Sequence, residues 1–141
     1  MRTKRDLFYA WLLATLLSGL PSTLYALVTG GDPTQATRAA GAMLLRAEEA
    51  SFGKLFLAAA VVHACVSLLW AWLLWLALPV RHTALWAVLA AAAIAVLDLR
   101  IIAPAFFPEI AALAFWPQFA DHLMWGACAG VVLQYRSRTL G

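Results

Sequence analysis

The sequence predicts an all-α protein, an integral membrane four-helix bundle with a short interfacial helix between spans one and two. Of its 141 residues, 65% are hydrophobic and only 12% are charged, whereas a soluble domain of this size carries about a quarter charged residues. The charged residues form short clusters separated by long apolar runs, which is typical of a polytopic membrane protein. We therefore expect a single transmembrane domain over residues 1–141.

Four apolar runs are each long enough to cross the hydrocarbon core, which needs roughly 20 residues. The predicted spans cover residues 7–28, 55–79, 83–103 and 117–135. The first could pass for a secretory signal, but we interpret it as a retained helix that Pro21 bends near its far end. Pro117 suits the first helical position of the fourth, because its missing N–H would be unpaired there anyway. Short links between such helices indicate a four-helix bundle.

Two segments are expected to face outward without crossing the membrane. After span one, Gly30 and Gly31 predict a turn, Asp32 the N-cap and Pro33 the first residue of a short helix. The apolar residues 43–45 indicate that this helix lies at the membrane interface. Residues 104–116 are too few to span, so we expect a surface or re-entrant half-helix there.

Basic residues predict the orientation. One side of the bundle would hold six of them and the other side four, which favours a multi-pass protein with both termini in the cytoplasm. The larger set comprises Arg2, Lys4, Arg5, Arg81, Arg136 and Arg138, and the smaller set Arg38, Arg46, Lys54 and Arg100. No basic patch suggests nucleic acid as a partner. The two cysteines form no C-x-x-C motif, which leaves little support for a redox or zinc site.

Ionisable residues inside the spans gather at one depth. His63, Asp98, Arg100, Asp121 and His122 all fall in the outer third of the predicted bundle, and the cytoplasmic halves hold almost nothing ionisable. At 1.5 Å per residue, His63 would lie about 12 Å deep. Ionisable groups at such depth are costly and mark functional sites by default. This clustering predicts a polar chamber below the outer surface.

Helix periodicity adds further residues to the chamber and to the packing faces. His63 and Ser67 are one turn apart, as are Gln118 and His122. Gly126 and Gly130 continue the face of His122, in a small-residue pattern that lets helices approach closely. The charged residues of the interfacial segment would form a lid over the chamber; they are Arg38, Arg46, Glu48 and Glu49.

Most of these residues also have a purely structural explanation. Asp121 lies in the first turns of its helix, where the dipole favours a carboxylate; Arg100 lies near a helix C-terminus and can snorkel. His63 could bond a carbonyl or a serine across helices. Asp98 is harder to explain in this way, because the dipole opposes its charge and Arg100 is on nearly the opposite face. We expect Asp98 to be paired from another helix, protonated, or facing water.

Two stretches of the sequence resemble small four-span bacterial membrane proteins. They are PSTLYALVTGGDPTQATRAAG and PQFADHLMWGACAG, at residues 21–41 and 117–130. The resemblance covers most of the chain and implies a bacterial inner (cytoplasmic) membrane as the location. It implies no activity, because none is established for those proteins.

Four functions remain open from the residues. The first is a chamber that binds or passes a small ion, a proton or a polar solute. The second is a haem or divalent-metal site at His63 and His122 with a carboxylate; no cofactor is otherwise predicted. The third is a membrane-embedded enzyme using Asp98 or Asp121 with a histidine, although no nucleophile or zinc-protease motif is present and no catalytic residue is assigned. The fourth is a structural subunit, partnered within the lipid bilayer by a second copy or a larger membrane complex.

Overall fold

Helices form all the regular structure in the part of the chain that is described. The computed structural model describes residues 2–139, with side chains over residues 2–136. The helices are α1 Lys4–Leu17, α2 Leu20–Thr29, α3 Gln35–Gly41, α4 Phe52–Ala77, α5 Thr83–Leu97, α6 Ala103–Phe106, α7 Pro108–Ala111 and α8 Phe115–Thr139. A π-helical turn, Asp98–Ile102, joins α5 to α6. The all-α prediction is confirmed over this range.

Three stretches are long and apolar enough to cross a membrane. They are Lys4–Thr29, Phe52–Ala77 and Thr83–Phe106. The fourth predicted span, residues 117–135, lies within α8, a helix of 25 residues that also carries Asp121 and His122. The fourth span therefore stays a prediction, as does insertion in a membrane.

The first of these stretches is interrupted, not merely bent. Helix α1 ends at Leu17, and α2 begins at Leu20 with Pro21 in its first turn. Proline lacks an N–H and its ring opposes the carbonyl four residues earlier, here that of Leu17, which favours a break in the regular helix just before Pro21. The break places the N-terminus of α2 inside the bundle, where its first backbone N–H groups need hydrogen-bond acceptors.

The short helix after the first stretch starts later than the sequence predicted. Asp32 is not its N-cap and Pro33 is not helical; the N-cap is Thr34. The Asp32 carboxylate instead accepts the Thr34 hydroxyl at 2.6 Å and the Thr34 N–H at 2.8 Å, an Asx-turn. These two bonds lower the pKa of Asp32 below its usual value. Residues 43–45, expected in the helix, lie in turns after α3.

Helix α8 is the centre of the bundle, because it packs against α1, α2 and α5, while α4 packs against α1 and α3. Small residues dominate the interior: eleven of the sixteen buried apolar residues are alanine. Larger apolar side chains point outward, at least 32 of them among the described residues. A water-soluble bundle would bury those side chains instead, whereas small residues are what membrane helices use where they meet.

Two glycines of α8 form the contact with α5. A methyl group on Gly126 would fall against Ala91 and 2.8 Å from the Ala87 carbonyl oxygen. A methyl group on Gly130 would lie 2.6 Å from the Ala87 methyl and 2.8 Å from the Ala84 Cα. The two helices thus touch through their backbones along one stripe, as the glycine spacing predicts.

The end of the bundle that holds the chain's N-terminus contains a buried ion pair. Asp6 is fully buried and is paired with the Arg136 guanidinium across α1 and α8. Its other oxygen accepts the Thr3 N–H at 2.7 Å, completing a capping box. Both residues lie just outside the predicted spans 7–28 and 117–135, so the expectation that the cytoplasmic halves of the spans hold almost nothing ionisable is not contradicted by this pair.

Arg2 closes the turn between α4 and α5 at the same end. Its guanidinium donates to the carbonyls of Leu78 at 2.7 Å and Pro79 at 3.0 Å, and to the Thr83 hydroxyl at 2.9 Å. These acceptors include carbonyls that the end of α4 leaves without a helical partner. Arg2 thus holds α4 and α5 together where the chain turns.

Candidate functional site

A cavity of about 580 Å³ lies at the opposite end of the bundle. Its walls come from α1, α2, α4, α5 and α8, and residues of α3 and α7 complete its rim. Six of the seven predicted chamber residues line it: His63, Ser67, Asp98, Gln118, Asp121 and His122. The volume is within the usual range of small-molecule pockets, about 300–1,000 Å³.

Asp98 and His122 face each other across α5 and α8. His122 Nδ1 lies 2.8 Å from the Gln118 carbonyl oxygen, which can only accept, so Nδ1 carries a hydrogen. His122 Nε2 lies 3.4 Å from Asp98 Oδ2. The contact is favourable only with a proton between them, either as imidazolium and carboxylate or as imidazole and carboxylic acid. In both arrangements the pair carries no net charge.

The helix that carries Asp98 changes from α-helical to π-helical at this residue, which makes it wider there. The π-helical turn begins at this residue, and the N–H of Ala103 donates to the Asp98 carbonyl five residues earlier. One-turn π segments inside α-helices are rare and occur frequently at functional sites. Here the turn follows the long alanine-rich α5 and precedes Pro104, whose ring opposes a regular α-helical bond at this point.

Asp121 supplies the cap that the interrupted first stretch lacks. Its Oδ1 accepts the N–H of Ser22 at 2.8 Å, at the N-terminus of α2. The N-cap residue there is Gly19, which has no side chain to do this, and Pro21 has no N–H to offer. The sequence suggested that the dipole of Asp121's own helix explains it, but the contact is with the N-terminus of another helix.

His63 closes the other end of the break. Its Nε2 lies 3.0 Å from the Thr15 carbonyl oxygen and 3.1 Å from the Ser18 hydroxyl, both in the last turn of α1. Since the carbonyl only accepts, Nε2 carries the hydrogen. His63 therefore bonds both a carbonyl and a serine across helices, as its structural explanation supposed.

Ser67 forms the floor of the polar region. Its hydroxyl accepts the buried indole N–H of Trp125 at 2.7 Å and lies 2.6 Å from the Thr15 hydroxyl. Three helices, α1, α4 and α8, are tied together at this point. Deeper in the bundle the interior becomes apolar, with Ala71 and Leu74 in the core.

Arg100 lies outside the cavity, contrary to its expected place in the chamber wall. Its guanidinium stacks on the Phe115 ring at 4.1 Å from the centroid, and the residue is exposed. The two-residue spacing from Asp98 places it on a different face of the helix. Its place near the end of the apolar stretch fits the snorkelling explanation.

The expected lid residues do not line the cavity either. Arg46 pairs with Glu49 at 3.3 Å in solvent, and Glu48 is exposed. Arg38 lies over the Phe52 ring, 5.6 Å from its centroid. The segment does cover the cavity, but through the small residues on the other face of α3: Ala36, Thr37 and Ala40.

Helix α3 is held firmly in this position. A methyl group on Gly41 would lie 2.8 Å from the Cα of Leu55, so the end of α3 touches the backbone of α4. Such contact between backbones fixes the covering segment against the wall of the cavity.

The histidines offer few free ligand atoms for a metal or haem. Among the described residues, no group of three or more histidine, cysteine, aspartate or glutamate side chains could hold a metal ion. His63 and His122 each have one ring nitrogen bound to a backbone carbonyl, and the second nitrogen of His122 faces Asp98. A metal there would have to displace that carboxylate or bind between the two groups.

Sequence reasoning missed the partners that make the site. Ser18, Ser22, Thr15 and Trp125 each bond one of the predicted residues. The signal was the helix break: a Ser-Gly-Leu-Pro run within an apolar stretch leaves unpaired backbone groups on both sides. Those groups need polar side chains from neighbouring helices.

Comparison with known protein families, with curated proteins and with solved structures gives no match to this chain. The family resemblance of the two stretches stays a prediction.

Proposed function

We propose that this chain is a four-span membrane protein whose chamber binds a proton and a small polar solute. The outward-facing belt of large apolar side chains around an alanine-rich interior supports its insertion in lipid. Helix α8 would be the fourth span, since its 25 residues could cross about 37 Å at 1.5 Å per residue. The basic residues favour cytoplasmic termini, and the resemblance favours a bacterial inner membrane.

One observation carries the proposal: polar side chains from three long helices converge on a single cavity. Apolar and small side chains are enough to pack two helices together. Ionisable side chains at this depth are energetically costly, and by default they mark functional sites. Asp121 and His63 have structural tasks at the helix break, whereas the Asp98–His122 pair has none that a simpler residue could not perform. That pair is the candidate proton site.

Binding is favoured over passage. Between the Ser67–Trp125 hydrogen bond and the buried Asp6–Arg136 pair, the described core is formed by apolar side chains, among them Ala71, Leu74 and Leu133. A solute would meet no polar partner on that route, and an ion would lose its hydration without replacement. The chamber is therefore a blind pocket with one polar end.

The charge of the chamber predicts which solutes enter. The Asp98–His122 pair is neutral in either protonation arrangement, so of the two acidic residues that line the cavity only Asp121 would give it a net negative charge. A site with one uncompensated carboxylate and low-dielectric walls concentrates cations and repels anions. We expect a cationic or neutral solute.

Thiol accessibility in membrane vesicles tests the proposal. Thr37→Cys places a thiol on the rim, in a background with Cys65→Ala and Cys128→Ala. A cationic thiosulfonate reagent should modify it on the order of tenfold faster than an anionic one. Asp121→Asn, which keeps an oxygen for the Ser22 N–H, should remove that preference, and Asp98→Asn should leave it unchanged.

A thiol outside the cavity provides the control. Ala50→Cys lies in the loop before α4 and does not line the cavity, so Asp121→Asn should not alter its reagent preference. If Thr37→Cys fails to react while Ala50→Cys reacts, the chamber is closed to water and the proposal is wrong. It is equally wrong if the charge of the reagent makes no difference at Thr37→Cys.

The assembly-subunit alternative stays a prediction, although one of its two features, the glycine pattern of α8, is used within the chain. Gly126 and Gly130 contact Ala84, Ala87 and Ala91 within the same chain, so this stripe is not free for a partner. The enzymatic and metal alternatives stay predictions, and no contact among the described residues favours them over a binding chamber.

A further inference from the structure

The cavity has two chemical zones. In the middle of its depth it is lined by the polar groups of Ser18, His63, Asp98, Asp121 and His122, with the apolar Pro33, Ala36, Phe56 and Ile110 nearer the mouth. One to two turns deeper along the same helices the lining becomes apolar, with Val66, Trp70, Ala91, Ile94 and Trp125. A small hydrophilic solute would fill only the first zone and leave the apolar zone without a partner.

The apolar zone also reaches the side of the bundle. Two residues of the lining at this depth are well exposed: Leu16 is 69% and Val66 40% exposed. Helices α4 and α5 both line the cavity, yet within the described residues they make no extensive contact with each other. The wall of the cavity is thus continuous with the outer apolar surface.

The polar zone is rich in hydrogen-bond acceptors. A carboxylate has about four acceptor sites; Asp121 accepts one hydrogen bond from the Ser22 N–H, and Asp98 shares one with His122. An occupant that donates hydrogen bonds would be satisfied there, whereas a carboxylate or phosphate would meet acceptors and like charge.

We propose that the chamber takes a membrane-borne amphiphile with an uncharged hydroxyl head group, which enters beside α4 from the lipid. The hydroxyl would lie among Asp98, Asp121 and His63, and the chain along Val66, Trp70 and Ile94. This inference rests on the proposed function, because it assigns a ligand class to the same chamber.

Photolabelling in lipid nanodiscs tests it, with a twelve-carbon primary alcohol that carries a diazirine on its chain. Label should be recovered on Trp70 or Ile94, in preference to the outward-facing Leu69 and Leu73. The carboxylic acid of the same length and diazirine position should label these cavity residues on the order of tenfold less. Its ionised head group cannot donate a hydrogen bond, and the carboxylates of the cavity repel it.

Two variants of α4 provide a matched pair. Ala60→Phe places a ring in the cavity lining, and Val61→Phe places the same ring on the outer surface. We expect the first to abolish cavity labelling and the second to leave it as in the unchanged chain. The comparison of alcohol with acid needs no variant, so it decides the question even if Ala60→Phe does not fold.

The inference is overturned if label lies only on outward residues, if the acid labels the cavity as well as the alcohol, or if both phenylalanine variants label alike. Its failure is separable from that of the proposed function. If Thr37→Cys is modified charge-selectively but the cavity is not photolabelled, the chamber binds small solutes from water. The amphiphile proposal would then be wrong and the proposed function would stand.

Discussion

Gly126→Ala tests the close contact between α5 and α8. The added methyl group would meet the Ala91 methyl and lie 2.8 Å from the Ala87 carbonyl oxygen, where ordinary contact needs about 3.5–4.0 Å. Backbone cannot move aside as a flexible side chain can. The helices must therefore part by about 1 Å, which forfeits a quarter to a half of the dispersion energy across the gap.

The expected cost follows from two opposing effects. Overpacking of this kind costs about 1–3 kcal/mol, and an obstruction by backbone belongs at the upper end of that range. Alanine favours the helix over glycine by about 1 kcal/mol. We expect Gly126→Ala to lower the free energy of unfolding by about 1–2 kcal/mol, measured by titrating SDS into protein in mild detergent.

Gly53→Ala is the matched control. Gly53 is also helical, but a methyl group there would meet nothing within 4 Å, so the variant should be as stable as the unchanged chain or more so. Adding Ala91→Gly to Gly126→Ala removes one of the two colliding groups and should recover part of the loss. If Gly126→Ala is no less stable than the unchanged chain, the helices do not touch as described.

Three further predictions concern the polar contacts. Asp121→Ala removes the cap from the Ser22 N–H and should cost about 1–2 kcal/mol in the same SDS titration, whereas Asp121→Asn should cost much less; equal losses would refute the capping role. Ser67→Ala leaves the buried Trp125 N–H without a partner and should cost about 1–3 kcal/mol, with a blue shift of tryptophan emission as the spectroscopic check. The folded pKa of Asp32 is lowered, so its Asx-turn is stable above the unfolded value of about 3.9 and should be lost as pH falls through the lower folded pKa. Hydrogen exchange at the Thr34 amide should lose its protection only in that acidic window. If Asp32→Asn leaves the exchange rate of the Thr34 amide unchanged, the prediction is wrong.

The helical class and the long apolar stretches were predictable because hydropathy is a property of local composition. The common depth of His63, Asp98 and His122 also followed from sequence, since depth depends only on counting residues along helices, whereas their meeting in one cavity depends on how the helices pack. Arg100 shares that depth but not that direction, and its stacking on Phe115 depends on how the π-helical turn sets the rotation of the chain. Counting residues gives the depth of a side chain but not the direction in which it points.

The break between α1 and α2 explains most of what sequence reasoning missed. Pro21 signalled a bend, but a full interruption creates unpaired backbone groups that recruit Asp121 and His63 from other helices. Such long-range capping depends on which helices are neighbours, and hydropathy does not predict which helices pack together. The buried Asp6–Arg136 pair was missed for the same reason, because its partners are far apart in the chain.

Nitrogen NMR of histidine in lipid nanodiscs tests the central claim, that Asp98 and His122 share a proton in the chamber. With ¹⁵N-labelled histidine, His122 should show a protonated Nδ1, and Asp98→Asn should shift its Nε2 resonance. His82, in the turn between α4 and α5, should stay unchanged as the internal reference. If Asp98→Asn leaves both nitrogens of His122 where they were, the pair does not exist and the chamber has no proton site.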